Sequence, residues 1–480
     1  MSLKKKTING TIWTFAEQIS VKGLNFVVQI VLARLLLPED FGLIAMVMVF
    51  IGIGNAIVES GMIQSLIRTK EPDQRDFSTV FFLNISIAFL VYALIFFIAP
   101  IVGEFYEQSR LALILRVLAL SVLIRSFMGV QYAILSIKMD FKSQMLIQTP
   151  SLIISGVVAI LMAYLNYGVW ALVTMQIVMA VLVTVQYWWR SDWRPQFVFD
   201  RERLKSHFQF GYKLTLTTAV NSLSNNIYSI LIGKYFSAAS LGYYNRASVY
   251  QRFLPLLVGG AVNRVTLPLF SKLIDDKLRL SNALRNINKI VMYAYLPIVL
   301  FFIFNAEGLI TFLLTERWLA VVPLFQVLCI GGLLQPMQFY SINILGALGN
   351  SGHILSIATA SRFITIVGAI VMVQFGLNAL VLFETVALLA ITLLYVHFSG
   401  KHINYPLLDQ FKDILPELIL SITCSFLCAM VCKFLLLESQ ILNMLTYISL
   451  FIPLYLVCSH LFRISAFQTL KSELIKWQFK

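Results

Sequence analysis

Apolar windows long enough to cross a hydrocarbon core recur along this chain, separated by turn signals. A helix rises about 1.5 Å per residue, so a core roughly 30 Å thick takes about 20 residues per span. Such windows fall near residues 11–37, 42–67, 78–100, 110–136, 146–165, 169–189, 208–236, 242–271, 290–314, 319–348, 355–374, 379–398, 413–436 and 443–462. With 59% hydrophobic and only 12% charged residues among 480, the composition lies well outside that of soluble domains. The expected fold class is an all-α polytopic membrane protein with about 14 transmembrane helices. Lys4, Lys5 and Lys6 lead into a long span without a short apolar core and small-residue cleavage site, so the first span reads as a retained start-transfer helix.

Charge placement orients these spans. The termini and even-numbered loops hold twenty-four Lys and Arg, whereas the odd-numbered loops hold two, Arg110 and Arg317. By the positive-inside rule, both termini and the long loops are expected on the cytoplasmic side. The net charge of +14 is therefore a topology signal and a contact surface for anionic membrane lipids; no nucleic-acid partner is expected.

The chain repeats itself at an offset of 200 residues. Val31-Leu32-Ala33-Arg34 followed by Phe41-Gly42 aligns with Leu231-Ile232-Gly233-Lys234 followed by Leu241-Gly242. Six spans separate the copies, and an even number preserves orientation. This implies parallel halves related by an axis along the membrane normal, as in carriers that rock two lobes around a substrate.

Charges inside the spans carry the functional signal. Eleven cations fall there: Lys22, Arg34, Arg116, Arg125, Lys213, Lys234, Arg246, Arg252, Arg264, Arg362 and Lys433. They face four acids that lie well inside their windows, Glu17, Glu59, Glu307 and Glu384. A cation at the bilayer centre costs roughly 2.5–3.5 kcal/mol even on lenient scales, so each needs a wet interior, a partner or an interface to snorkel to. On the first span Gln18, Lys22, Asn25 and Gln29 form one helical stripe, aligned with Thr218, Ser222, Asn225 and Ser229 on the seventh. The seventh adds Asn221 and Tyr228 among further polar groups, more than interhelical hydrogen bonding normally uses. The expected site is a cationic cavity with Lys22, Arg252, Arg264 and Lys213 on substrate and Gln18, Asn25, Gln29, Asn221, Asn225 and Tyr228 as polar lining. Guanidinium groups match phosphate oxygens bidentately, so a pyrophosphate suits Lys22 with Arg252 or Arg264. Arg34, Lys234 and Arg246 read as snorkelling at the outer interface; for Arg125 pairing and cavity lining stay open.

The segments Gly10-Thr11-Ile12-Trp13, Leu32-Ala33-Arg34 to Phe41-Gly42-Leu43, Glu59-Ser60-Gly61 with Ile67-Arg68, and Leu241-Gly242-Tyr243-Tyr244-Asn245-Arg246-Ala247 resemble the bacterial polysaccharide-transporter branch of the MOP flippase superfamily. The resemblance implies a Wzx-type flippase with two pseudo-symmetric six-helix lobes plus two C-terminal helices. It places the lobes at 1–189 and 208–398, a cytoplasmic linker at 190–207 and the extra spans with a cytoplasmic tail at 399–480. The implied activity is alternating-access transfer of an undecaprenyl-pyrophosphate-linked oligosaccharide to the outer leaflet of the bacterial inner membrane, for capsule, exopolysaccharide or O antigen. Polymerase and export machinery are the implied partners.

No cofactor or metal is expected. Coupling to an H+ or Na+ gradient would fall to Glu17, Glu59 or Glu384, which serve equally well as structural partners for nearby cations. Cys424, Cys428 and Cys432 stand at i, i+4 and i+8 without clustered histidines, which fits helix packing rather than a metal site. No Gly-rich nucleotide loop appears, which sets aside ATP-driven transport by this chain alone. Two further classes compete with the flippase. A multidrug antiporter of the MATE type should show an acid-dominated cavity; a glycan polymerase or ligase should carry a sizeable outer loop, and the expected outer loops are only a few residues long.

Overall fold

The computed structural model describes the backbone of residues 3–59, 61–198, 200–435 and 439–478, and the side chains of residues 13, 20–59, 61–198, 200–255, 266, 268–435 and 439–472. Every regular element among them is helical. Residues 1–242 form one compact unit, with α1 (Leu3–Leu35), α2 (Pro38–Glu59), α3 (Met62–Arg68), α4 (Gln74–Phe105), α5 (Arg110–Ser126), α6 (Gly129–Ile137), α7 (Phe141–Tyr164), α8 (Val169–Arg190), α9 (Arg201–Asn225) and α10 (Ile227–Tyr235). The chain enters the second unit, 243–480, within α11 (Ala238–Lys272). There follow α12 (Lys277–Phe304), α13 (Ala306–Leu313), α14 (Val321–Gly332), α15 (Gln335–Ala347), α16 (Ser351–Met372), α17 (Leu377–His402), α18 (Leu407–Phe434), α19 (Gln440–Leu461) and α20 (Ser465–Gln478).

Each apolar window read from the sequence coincides with one helix or a consecutive pair. Among the described residues ten spans are long and apolar enough to cross a membrane, or eleven when α5 and α6, bent by 43°, count as one. The helices start where chemistry satisfies their first N–H groups. Asp73, Asp140, Asp200 and Asp276 cap α4, α7, α9 and α12, each accepting from a backbone N–H in the first turn. All four belong to the even-numbered, basic loops.

Within the first unit α5 forms the centre. Leu111, Ile114, Leu115, Leu118, Ala119 and Val122 recur at helical spacing and are buried against α2, α4 and α8. In lipid such a stripe gains little from leaving its solvent, so dispersion and close approach hold it. Close approach is visible between α1 and α7, where a Cβ on Gly156 would stand 2.8 Å from a methyl of Val28. The outward faces keep large apolar groups such as Phe97 and Ile101 exposed, and α8 carries Trp189, 84% exposed, at its end, as lipid contact and interfacial anchoring require. In the second unit α12, α18 and α19 close on an aromatic seam of Tyr293, Tyr447, Phe451 and Tyr455, and Cys424 and Cys428 pack into it.

The 200-residue repeat is visible in the helix boundaries. α1 ends at Leu35 and α2 begins at Pro38; α10 ends at Tyr235 and α11 begins at Ala238. The turns even repeat a hydrogen bond, Leu36 N–H to the Leu32 carbonyl at 2.8 Å and Phe236 N–H to the Ile232 carbonyl at 3.0 Å. The two copies also meet reciprocally. A Cβ on Gly42 would lie 2.5 Å from the Ala238 carbonyl carbon, and one on Gly242 would lie 2.9 Å from the Pro38 carbonyl carbon. Position 38 thus touches 242 while 238 touches 42, the signature of a local two-fold.

Because backbone stands on both sides of that contact, neither partner can step aside. Gly242→Val is expected to cost roughly 1–3 kcal/mol and lower the unfolding temperature of the detergent-solubilised protein. Gly346→Ala in α15, where a Cβ meets nothing within 4 Å, should leave it unchanged or raised. A Gly242→Val protein as stable as wild type would contradict the reciprocal packing.

Candidate functional site

Beyond Glu39 and Asp40 in its first turn, α2 carries polar side chains along one stripe. Gly52, Asn55, Ala56 and Glu59 stand at i, i+3, i+4 and i+7, and α9 presents Thr218, Asn221, Ser222 and Asn225 at the same spacing. The two stripes border a cavity of about 690 Å³. Glycine at 52 admits the Ser222 hydroxyl, since a Cβ there would lie 3.3 Å from Oγ. Gln64 on α3, Asn84 on α4, Arg125 on α5, Tyr132 on α6, Gln148 on α7 and Asn226 complete most of the polar wall. Glu59 and Arg125 are the two charged groups in the lining.

Arg125 owes its place to the break between α5 and α6. A bend of 43° frees carbonyls that a continuous helix would satisfy, and in a membrane each must find another donor. Thr184 Oγ1 donates to the Ile124 carbonyl at 3.2 Å, Asn84 Nδ2 to Ser126 at 3.2 Å and Trp188 Nε1 to Phe127 at 2.9 Å. The break is thereby tied to α4 and α8 with the Arg125 side chain at the cavity. Gly129 follows it, where a Cβ would come 2.7 Å from the Ile63 Cδ1 methyl.

The lining is rich in acceptors with no protein donor. Among the described residues these include the side-chain carbonyl oxygens of Asn55, Asn84 and Asn221 and one carboxylate oxygen of Glu59, all buried, and all belong to residues lining this one cavity. A buried acceptor left unpaired costs about 1–3 kcal/mol, so these four residues leave hydrogen-bonding capacity unspent around the cavity, and Arg125 adds a guanidinium to its wall.

One end of α9 is locked to α3 and α4. A Cβ on Gly61 would lie 2.5 Å from the Gly211 carbonyl oxygen, so the backbones touch. Beside them Ser65 Oγ and His207 Nδ1 are 2.8 Å apart, and His207 Nε2 lies 3.2 Å from Asp76 Oδ1. Arg203 pairs with Asp76 and, at 2.8 Å, with Asp73. With its Nε2 proton toward the carboxylate, His207 accepts from the Ser65 hydroxyl and both ring nitrogens are used. Near the repeated turn, Lys234 Nζ stands 2.9 Å from exposed Glu107, and that hydrogen bond holds the Glu107 carboxyl below its ordinary range.

A family model described as "Polysaccharide biosynthesis protein" matches residues 31–323. The chain belongs to this family. It is 26% identical over 353 residues to the teichuronic acid biosynthesis protein TuaB of Bacillus subtilis, covering 73% of each chain. To the lipopolysaccharide biosynthesis protein WzxC of Escherichia coli it is 25% identical over 343 residues, covering 70% of this chain and 68% of that one. The fold matches the lipid II flippase MurJ in an inward closed conformation with a TM-score of 0.72, 18% identity and coverage of 95% and 99%. An inward-facing MATE multidrug transporter of the MOP superfamily matches at 0.62, with 15% identity and coverage of 81% and 94%. The chain is a multi-pass membrane protein with the MOP-superfamily fold.

Of the residues expected from sequence, Asn221, Asn225 and Glu59 come together at the cavity with Thr218 and Ser222. Lys22 and Asn25 are exposed on α1, Gln29 is half-buried there, Lys213 is exposed on α9, and none of them lines this cavity. Tyr228 is buried on α10. In the second unit Arg252 is exposed on α11, and Glu384 on α17 accepts a hydrogen bond from Tyr244 at 2.8 Å. The side chains of Glu17, Gln18 and Arg264 lie outside the described residues. Arg246, expected at the outer interface, is 4% exposed. Asn55, Gln64, Asn84 and Gln148 were not anticipated; only Asn55 had a readable signal, four residues before Glu59 on one face.

Removing His207 would strip Ser65 and Asp76 of a buried partner. His207→Ala is therefore expected to destabilise by about 1–3 kcal/mol, read as a lower unfolding temperature, with His207→Gln recovering part of it. Equal melting of His207→Ala and wild type would show that the glycine contact and the Arg203 ion pairs hold α9 without it.

Proposed function

We propose that this protein is a flippase that carries the headgroup of an anionic, lipid-linked oligosaccharide across the bacterial inner membrane. The observation that carries this reading is the convergence of many amide and hydroxyl side chains and one guanidinium on a single cavity. Sugar hydroxyls supply donors in number, and a phosphate or acidic sugar answers Arg125. A volume of about 690 Å³ falls in the roughly 300–1,000 Å³ typical of small-molecule sites, enough for part of such a headgroup. Relatives named for teichuronic acid and lipopolysaccharide biosynthesis, and a fold neighbour named as a lipid II flippase, support the same substrate class.

The work is transport, with no covalent step. The polyisoprenyl tail of an undecaprenyl-pyrophosphate carrier is as apolar as the bilayer and stays in it while the polar headgroup occupies the cavity. Alternating exposure to the two sides by rocking lobes, 1–189 against 208–398 through the linker 190–207, completes the transfer. The loop charges support cytoplasmic termini. Lys22, Lys213 and Arg252, none of them in this cavity, and Arg264 are the further cations proposed for the pyrophosphate, and a polymerase and export machinery would take the product. A multidrug antiporter is the second reading; the single acid in the lining, opposed by Arg125, gives it no surplus of negative charge.

Purified protein in proteoliposomes tests this by headgroup appearance on the far side. Arg125→Ala should reduce translocation about 10- to 100-fold, the loss of one charge-assisted contact of roughly 1.5–3 kcal/mol. Asn221→Leu removes an unpaired acceptor, so it should melt at a higher temperature than wild type and yet translocate less. Lys22→Ala, Arg252→Ala and Arg264→Ala, assayed alongside, report on the wider cationic path. Extrusion of a cationic dye without headgroup transfer would replace the flippase reading with the antiporter.

A further inference from the structure

In the second unit α12 and α18 pack together around a separate polar cluster. Asp413 on α18 holds three partners: Arg285 Nε at 2.7 Å, Lys289 Nζ at 3.0 Å and the Tyr405 hydroxyl, which donates at 2.6 Å. One turn along α18, Glu417 is fully buried and neither carboxyl oxygen has a donor. The hydroxyls beside it are spent elsewhere. Tyr293 donates to Ser459 at 2.9 Å, Ser459 to the Tyr455 carbonyl at 2.6 Å, Tyr455 to the Tyr293 carbonyl at 2.9 Å and Ser421 to the Tyr455 hydroxyl at 3.3 Å. The ionisable groups of the cluster are Arg285, Lys289 and Tyr293 from α12, Tyr405 before α18, Asp413 and Cys424 on α18, and Tyr455 from α19.

We propose that Glu417 is a proton-binding site, and that loss of its proton transfers Lys289 from Asp413 to Glu417. A carboxylate sealed from water without a donor is strongly disfavoured, whereas the protonated acid is neutral. Among the described residues no group of three or more acidic, His or Cys ligands stands here or elsewhere to hold a metal cation, and a proton needs the carboxyl alone. Charge balance supplies the second half. The cluster has two cations for one ionised acid, and Asp413 keeps Arg285 and Tyr405 if Lys289 leaves. Positions i and i+4 are neighbours on a helix face, so Glu417 stands within reach of the lysine side chain that Asp413 holds. Pro416, inside α18, removes a backbone N–H next to Glu417, so one helical hydrogen bond is missing where the exchange would pull on the helix.

The link from this proton to transport rests on the flippase reading; the proton site itself does not. Infrared difference spectra of the whole protein in nanodiscs, titrated with pH, should show the carbonyl stretch of a protonated acid. That band should be lost in Glu417→Gln and kept in Lys289→Met. In proteoliposomes, wild-type translocation should respond to an imposed pH gradient, and both variants should lose that response. A band that survives in Glu417→Gln overturns the proton site. Variants that answer the gradient as wild type does, or a wild type that answers sodium instead, overturn the exchange. If wild type moves no headgroup, the flippase reading fails, while the band still decides the site.

Discussion

Inside a membrane a polar group shut away from water must find a partner within the protein, and this rule governs every informative place in the chain. At the α5–α6 break three carbonyls find donors on α4 and α8, so the bend is affordable only as part of the bundle that surrounds it. At the cavity the rule is left unfulfilled on four acceptors, and at Glu417 on both oxygens of one acid. The first case builds structure. The other two hold structure short of its most stable arrangement, which is the usual cost of a site that must bind something.

Symmetry and packing explain where the cavity sits. The reciprocal contact of Gly42 with Ala238 and of Gly242 with Pro38 pins the repeated turns at one end. Gly61 against Gly211, reinforced by Ser65, His207, Asp76 and Arg203, pins the other end of α9 to α3 and α4. Between these pins α2 and α9 carry Gly52, Ala56, Thr218 and Ser222, side chains too small to fill the space, and polar ones that do not seal it. Large apolar residues at those positions would have closed the helices on one another.

The helices were legible because a hydrocarbon solvent demands long apolar runs, and the repeat was legible because helix ends recur at a fixed offset. The polar stripe of the seventh span was legible too, since Asn221 and Asn225 share a face whatever lies opposite. Its counterpart on α2 hid behind Gly52 and Ala56, which carry no polarity to mark the stripe. For Asn84, Gln148 and Arg125 only packing decides whether the side chain meets lipid, a neighbour or a cavity. Glu417 escaped for a related reason. Spaced four residues from Asp413 at the start of a span, it reads as part of a solvated helix end until α12 and α19 bury it.

The mixture of groups in the cavity bears on how a carrier releases what it binds. A wall of several cations would grip a pyrophosphate hard in a low dielectric, and equal grip on both sides of the membrane would stall the cycle. On the proposed function, amide, hydroxyl and carboxyl side chains would hold a polyhydroxylated headgroup through many hydrogen bonds, of a kind that water replaces at nearly equal energy. One guanidinium, Arg125, adds selectivity for negative charge, and Glu59 in the same lining moderates it. Such a site binds well when dry and lets go when wet. For a flippase of the proposed kind, hydration of the cavity, rather than a change in the chemistry of its walls, would separate loading from release.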